Sequence, residues 1–126
     1  MILKTYARIF TTDMDKSLQL LQALVGTVPD YRFTMNELGL EIAGIADFCV
    51  VAGPSEKLLP VRASQGPLIV DDLNQTKALL VAHGATIAKP EAESETGRYF
   101  YAVHPDGSEI EYVEWKPELR IRVLGS

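Results

Sequence analysis

The chain has 126 residues, which suits one compact domain that buries roughly two thirds of the surface its unfolded form exposes. A net charge of −5, with no cluster of Lys or Arg, argues against nucleic acid as a partner. One cysteine, no apolar run of membrane-spanning length and no basic-then-apolar leader predict a cytoplasmic protein without disulfides or membrane contact.

The first half predicts a βαβββ unit over residues 3–52. Leu3 to Thr11 is rich in strand-forming residues, and Asp13 follows as a helix N-cap. The helix carries one apolar stripe and ends at Gly26, which accepts the left-handed conformation. Three further strands are predicted over Tyr31–Met35, Leu40–Ala43 and Phe48–Val51.

Proline and polar residues over 53–60 predict a linker, and residues 62–115 predict a second unit. It has a short strand over Pro67–Val70, a helix over Asp72–His83, and strands over Arg98–Val103 and Glu109–Trp115 joined by the turn His104-Pro105-Asp106-Gly107. Residues 89–97 are consistent with an edge strand, a mobile loop, or both. The tail, 116–126, has two open interpretations: it covers a sheet edge or a partner, or it is frayed.

The two halves repeat one pattern. Residues 11–23 align with residues 70–82 at a constant offset, 72 − 13 = 59, which keeps Asp13/Asp72, Leu20/Leu79 and Leu21/Leu80 identical. A period of half the chain indicates two copies of one supersecondary unit, since a solenoid needs at least three.

Two βαβββ units with a capping Asp before each helix, followed by His104-Pro105-Asp106-Gly107-x-x-Ile110-Glu111, resemble the vicinal oxygen chelate superfamily. This superfamily contains glyoxalases, bleomycin-resistance proteins and extradiol dioxygenases. The resemblance covers Leu3 to Trp115. It implies a single α+β domain in which two tandem units form a curved mixed sheet around a central cup, and it implies a homodimer.

The resemblance also implies where a metal would bind. The corresponding positions here hold Tyr6, Cys49, Gln65 and Glu111. A neutral tyrosine, a lone thiol and an amide do not share the preferences of one divalent ion, so we expect neither a metal nor another cofactor. We expect His83 to favour a helix terminus and His104 to face water in its turn.

Strand alternation predicts the rest of the cup lining. With the four positions above, the expected ligand-binding set is Tyr6, Arg8, Phe10, Cys49, Gln65, Ile69, Glu111, Val113 and Trp115. Such a mixture of aromatic, aliphatic and few polar groups is typical of small-molecule sites. Plainer roles stay open: an Arg8–Glu111 structural pair, aromatic packing at a dimer interface, and an inert buried Cys49.

The predicted function is metal-independent binding of a small organic ligand, resembling bleomycin-resistance-type proteins of the superfamily. The alternative is a metal-dependent glyoxalase, lyase or dioxygenase-like enzyme that uses Glu111 and Gln65, with Glu111 as the candidate catalytic group. A third hypothesis is an interaction module whose cup is closed by its own side chains.

Overall fold

A computed structural model describes all 126 residues of the chain, which form two compact units. The first unit contains residues 6–63 and the second contains residues 1–5 with 64–126. The architecture is α+β, with two mixed sheets and four α-helices, as the sequence predicts for tandem βαβββ units.

The helices and strands of each unit follow in chain order. The first unit contains β2 (Ala7–Thr11), α1 (Met14–Val25), β3 (Tyr31–Met35), β4 (Leu40–Ile45), β5 (Phe48–Ala52), α2 (Ser55–Leu58) and a 3₁₀ turn (Leu59–Val61). The second contains β1 (Ile2–Thr5), β6 (Gln65–Val70), α3 (Leu73–Ala82), β7 (Thr86–Glu93), β8 (Gly97–Val103), β9 (Glu109–Trp115) and α4 (Pro117–Leu124).

The sheet of the first unit is regular. Its strand order is β2-β5-β4-β3, with β2 parallel to β5 and the other pairs antiparallel. Every pair keeps one register from end to end. Successive side chains therefore alternate without interruption between the face that packs on α1 and the opposite, helix-free face.

The predicted cap and apolar stripe of α1 are confirmed. Asp13 accepts the backbone N–H of Lys16 at 3.1 Å, and Gly26 ends the helix with φ +76°. The helix buries three side chains, Met14, Leu18 and Leu21, against a cluster from the sheet that includes Ala43, Ile45 and Val50.

The sheet of the second unit is less regular. Its order is β1-β6-β9-β8-β7, and register breaks occur in the β1–β6, β6–β9 and β7–β8 pairs. Asp72 caps α3 by accepting the N–H of Gln75 at 2.9 Å, as Asp13 does for α1. Leu73 is the one buried residue of α3, and it packs with Val70, Phe100, Ala102 and Tyr112.

The segment predicted as one strand, Leu3–Thr11, is two strands in different sheets. Residues 2–5 pair antiparallel with β6, whereas residues 7–11 pair parallel with β5, and Tyr6 lies between them. Local propensity favours extended backbone throughout this segment but carries no information on its partner strand, since that partner is remote in the sequence.

Three segments have more structure than the sequence pattern indicates. The predicted linker contains α2 and the 3₁₀ turn, and it buries Leu58. Residues 86–93 form the edge strand β7, so residues 89–93 of the segment left open are an edge strand. The tail forms α4, with Pro117 in its first turn, Leu119 buried and Gly125 in the left-handed conformation after it, so it is not frayed.

Candidate functional site

Each unit has one sheet face that packs on α1 or α3, and an opposite face that we call helix-free because neither of these two helices packs on it. The helix-free face of the first unit, called the Tyr31 face, carries two rows of side chains in register. One row is Arg8, Cys49, Gly44 and Tyr31, and the next is Phe10, Val51, Ile42 and Phe33. Cys49 and Val51 are buried, and the face is mainly aromatic and aliphatic.

Tyr6 joins this face through Tyr31. The two ring centroids are 6.4 Å apart at an interplanar angle of 79°, an edge-to-face arrangement. Burial raises the pKa of the Tyr6 phenol well above its ordinary value, and the neighbouring Tyr31 hydroxyl offsets only part of this effect. Tyr6 therefore stays protonated and neutral.

Gly44 makes room for the Tyr31 ring. A Cβ atom at position 44 would lie 2.3 Å from Cζ of Tyr31, far inside van der Waals contact. On the other side of Tyr31, the Phe33 ring centroid lies 6.1 Å away. The sequence reasoning missed this cluster, although the alternation of Tyr31, Phe33 and Met35 along β3 was a usable signal.

Phe10 has a cationic neighbour. The guanidinium carbon of Arg62 lies 5.8 Å from the centroid of the Phe10 ring, within the range of a cation–π contact. Arg62 follows the 3₁₀ turn, two residues beyond the predicted linker, and places a charged group beside a predicted ligand-binding residue.

The helix-free face of the second unit, called the Trp115 face, is also aromatic. Ile69, Val113 and Tyr99 lie in one register row, and Ile69 and Val113 are buried. Trp115 is buried beside Gly97, its register partner on β8.

A second row of the Trp115 face carries its charged groups. Glu111 lies opposite Tyr101 in this row and is half-buried. The Lys89 ammonium lies 4.5 Å from the Tyr101 ring centroid, and Tyr99 meets Tyr101 edge-to-face at 6.3 Å.

Gln65 does not follow the alternation that the sequence predicts. It lies opposite Ile110, a residue that packs on the α3 side of the sheet, whereas Ile69 lies opposite Val113. Four steps along β6 thus correspond to three along β9, and the extra residue moves Gln65 out of phase with Ile69. Gln65 is exposed.

The predicted turn at His104 is confirmed, but the predicted environment of His104 is wrong. The Gly107 N–H donates to His104 O at 2.9 Å, and Ser108 N–H donates to the Asp106 carboxylate at 2.9 Å. His104 is half-buried, with Nε2 2.6 Å from the Tyr112 hydroxyl and the two rings stacked, so it does not simply face water. His83 is the residue directly after α3, as expected.

The four positions that the resemblance assigns to a metal do not fit a divalent ion. Tyr6 is neutral, Cys49 is a buried thiol and Gln65 lies out of phase with its strand. Only Glu111 carries a carboxylate. No group of three or more His, Cys, Asp or Glu side chains in the chain is placed to hold a metal ion.

A cavity of about 250 Å³ lies in the second unit, between the turn after β7 and the start of α4. Arg98 in its wall pairs with Glu91 at 3.0 Å and with Glu114 at 3.3 Å. Glu114 also accepts the Leu73 N–H at 2.8 Å. These charged groups satisfy one another, and Trp115 is the one predicted ligand-binding residue in the lining.

No protein-family model and no curated protein matches the chain. Among solved structures, an uncharacterized protein from Methanosarcina mazei is 35% identical, with a TM-score of 0.86 over 92% of this chain and 94% of its own. The chain belongs to the same family as this protein. It also shares its fold with methylmalonyl-CoA epimerases, which belong to the vicinal oxygen chelate superfamily.

Two epimerase structures illustrate that likeness. The Mycobacterium tuberculosis enzyme is 20% identical, with a TM-score of 0.73 over 94% of this chain and 91% of its own. A Streptomyces coelicolor variant in complex with 2-nitronate-propionyl-CoA is 16% identical, with a TM-score of 0.71 over 93% of this chain and 97% of its own. The expected fold is therefore confirmed. None of the chain's helices has both the length and the apolar character needed to span a membrane.

Proposed function

We propose that this protein binds a small organic ligand without a metal, in the manner of the bleomycin-resistance-type proteins of the superfamily. The observation that carries the proposal is the chemistry of the two helix-free faces. Both consist of buried and half-buried aromatic and aliphatic side chains with a few polar groups, which is the usual composition of a small-molecule site.

On the Tyr31 face, we assign ring contacts with the ligand to Tyr6 and Phe10, with Arg8 and Cys49 beside them. Because Tyr6 is neutral, its phenol serves as a hydrogen-bond donor and not as an anionic ligand for a metal. The Tyr31 ring, held over Gly44, extends the aromatic surface that the sequence reasoning identified.

On the Trp115 face, we assign apolar contacts to Ile69, Val113 and Trp115. Glu111 is the half-buried carboxylate of this face. We propose that it contacts a cationic or hydrogen-bond-donating part of the ligand. We propose that Gln65 gives the ligand an amide hydrogen bond. Because Gln65 is out of phase with Ile69 along β6, its side chain has to reach around the strand to make this bond.

The proposal is tested by isothermal titration with bleomycin A2, which combines planar rings with a cationic tail, with and without EDTA. We expect binding that EDTA does not change. Truncating Trp115 or Tyr6 to Ala should weaken it at least tenfold, because each removes a large buried ring. Leu79→Ala, at an exposed position of α3, is the control that should keep full affinity.

A stoichiometric divalent metal retained by protein purified without chelator would overturn the metal-free proposal. A melting temperature unchanged by bleomycin A2, by other planar aromatic cations and by methylmalonyl-CoA would favour the interaction-module hypothesis. We include methylmalonyl-CoA because one structural neighbour is an epimerase solved with that compound.

The same neighbours favour a second candidate function, an enzyme acting on an acyl thioester. We assign Glu111 the role of general base in that case, removing a proton from the carbon beside the thioester carbonyl. Incorporation of solvent deuterium into methylmalonyl-CoA, lost in Glu111→Gln, would support it. Exchange that requires an added metal would instead support the metal-dependent alternative that uses Glu111 and Gln65.

We also propose that the protein forms a homodimer and works in the cytoplasm. Each sheet ends in edge strands, which favour association with another chain. The single thiol, Cys49, is buried, in keeping with a reducing compartment.

A further inference from the structure

The edge strands of the two sheets differ in how well they resist pairing with another chain. The four-stranded sheet ends in β2 and β3, and the five-stranded sheet ends in β1 and β7. An edge strand presents backbone N–H and C=O groups to any strand that approaches. Proteins commonly block such edges with proline, charged side chains or bulges.

Both edges of the five-stranded sheet carry such protection. The β7 strand contains Lys89 and Pro90, and its register to β8 breaks twice. The β1 strand contains Lys4 and breaks register between Ile2 and Lys4. A second strand would find no regular ladder at either edge.

The β3 edge of the four-stranded sheet lacks this protection. Its five residues hold one unbroken register to β4 and contain no proline. Its one charged side chain is Arg32, whose guanidinium bonds to Asp15 at 2.8 Å and to Glu41. β3 exposes Arg32 and Thr34, whereas the opposite edge strand, β2, exposes only Ala7.

We propose that two copies of this chain associate through β3, antiparallel, with the two-fold axis at Phe33. This arrangement places Phe33 opposite Phe33 of the second copy, an aromatic cross-strand pair. It places Tyr31 opposite Met35, a ring–sulfur pair, and Arg32 opposite Thr34. No like charges face each other, as a self-complementary isologous interface requires.

The neighbouring registers are less favourable. Centring the axis on Arg32 would place two guanidinium groups directly opposite each other, which is destabilising across strands. Centring it on Thr34 would pair Arg32 with Asn36, which lies beyond the end of β3 and shortens the ladder. The sequence of β3 thus favours one register of self-pairing.

The inference rests on the proposed homodimer and is independent of ligand binding. Its test uses opposite charges at Thr34, because this residue would face Arg32 of the second copy twice per dimer. We expect Thr34→Lys to weaken the dimer and Thr34→Glu to tighten it. Two cross-strand charge pairs correspond to about 2- to 30-fold in Kd for each variant. Sedimentation velocity over a concentration series measures these constants.

Within one chain, the same substitutions act in the opposite direction. Thr34 is the register partner of Glu41, so Thr34→Lys adds an attraction to the fold and Thr34→Glu adds a repulsion. We expect the melting temperature of the monomer to be higher for Thr34→Lys than for Thr34→Glu. A dimer constant that followed monomer stability would show the reverse order from the one proposed.

The control is the same pair of substitutions at Thr86, an exposed residue on β7, which should leave Kd unchanged. A wild-type dimer that Thr34→Lys and Thr34→Glu leave unchanged would overturn β3 as the interface and keep the homodimer. A wild-type chain that stays monomeric at every concentration would overturn both. Shifts that shrink in high salt would support the charge pairing.

Discussion

The four-stranded and five-stranded sheets belong to the two copies of one sequence pattern. The helix starts of the two copies are alike, whereas the strand pairing of their sheets differs. Asp13 and Asp72 cap their helices through the same bond, a carboxylate accepting the N–H three residues later. The first sheet has unbroken registers, whereas the second has four register breaks in three strand pairs, and α3 has a single buried residue. A helix start depends on residues a few positions apart and is the same in both copies. Strand pairing depends on remote residues and differs between them.

The largest loss of stability is expected at Gly97 of the five-stranded sheet, and it should exceed the loss at Gly44 of the four-stranded sheet. In Gly97→Ala, the new Cβ would lie 2.1 Å from the backbone oxygen of Glu114, and φ of +154° disfavours any side chain. Backbone cannot move aside cheaply, so we expect a loss of about 4 kcal/mol or more. Urea denaturation measures it, and a loss below about 1 kcal/mol would contradict the described approach of β8 to β9.

Leu73→Ala should follow closely, with a loss of about 3 to 5 kcal/mol, because Leu73 is the one buried residue that anchors α3. Leu18→Ala should cost less, since Met14 and Leu21 still hold α1. Equal losses in urea denaturation would show that α1 and α3 are anchored alike, and would contradict the dependence of α3 on a single buried residue.

Gly44→Ala should cost about 1 to 3 kcal/mol, since the obstacle is the Tyr31 ring, a side chain that can swing away. The cost should fall in the double variant with Tyr31→Ala. A double-mutant cycle by urea denaturation checks this. Additive losses would mean that the cost of Gly44→Ala does not come from a clash with the Tyr31 ring.

The two caps should be equivalent. We expect Asp13→Ala and Asp72→Ala each to cost about 1 kcal/mol, since each removes one N-cap acceptor, and Asn at either position to cost much less. Thermal melting of the matched pair measures the difference. A cap that matters in only one unit would break the equivalence of the helix starts.

The smallest effect is a pH dependence of the second unit. The Asp106 carboxylate of this unit accepts a hydrogen bond from Ser108 N–H, which holds the pKa of Asp106 below its ordinary value of 3.8. A lowered pKa contributes stability that is present above the ordinary value and is lost as pH falls through the folded value. Asp106→Asn should therefore flatten the decline in melting temperature below about pH 4. An unchanged decline would assign it to other carboxylates.

The sequence predicted local features well and remote ones poorly. The caps, the Gly26 stop and the His104–Gly107 turn depend on residues a few positions apart, and the structure confirms them. The division of the first strand at Tyr6 and the phase of Gln65 depend on strands far along the chain, where propensity gives no partner.

The site shows the same limit. Ile9, which alternates with Arg8 and Phe10 along β2, packs on the α1 side of its sheet. Alternation could not show that Tyr31 covers Gly44, or that Arg62 reaches Phe10, because both contacts depend on which side chains meet in space. The assignment of the nine residues to ligand binding stays a prediction.

The pairing of β1 with β6 has a consequence for how this protein is made. Ile2 lies opposite Val70, so β1 waits for about seventy residues of synthesis before its neighbour exists. Closing so long a loop costs entropy that local elements avoid. Residues 6–63 carry all the strands of their own sheet and can fold while the rest is still being translated, whereas the five-stranded sheet reaches completion only near the end.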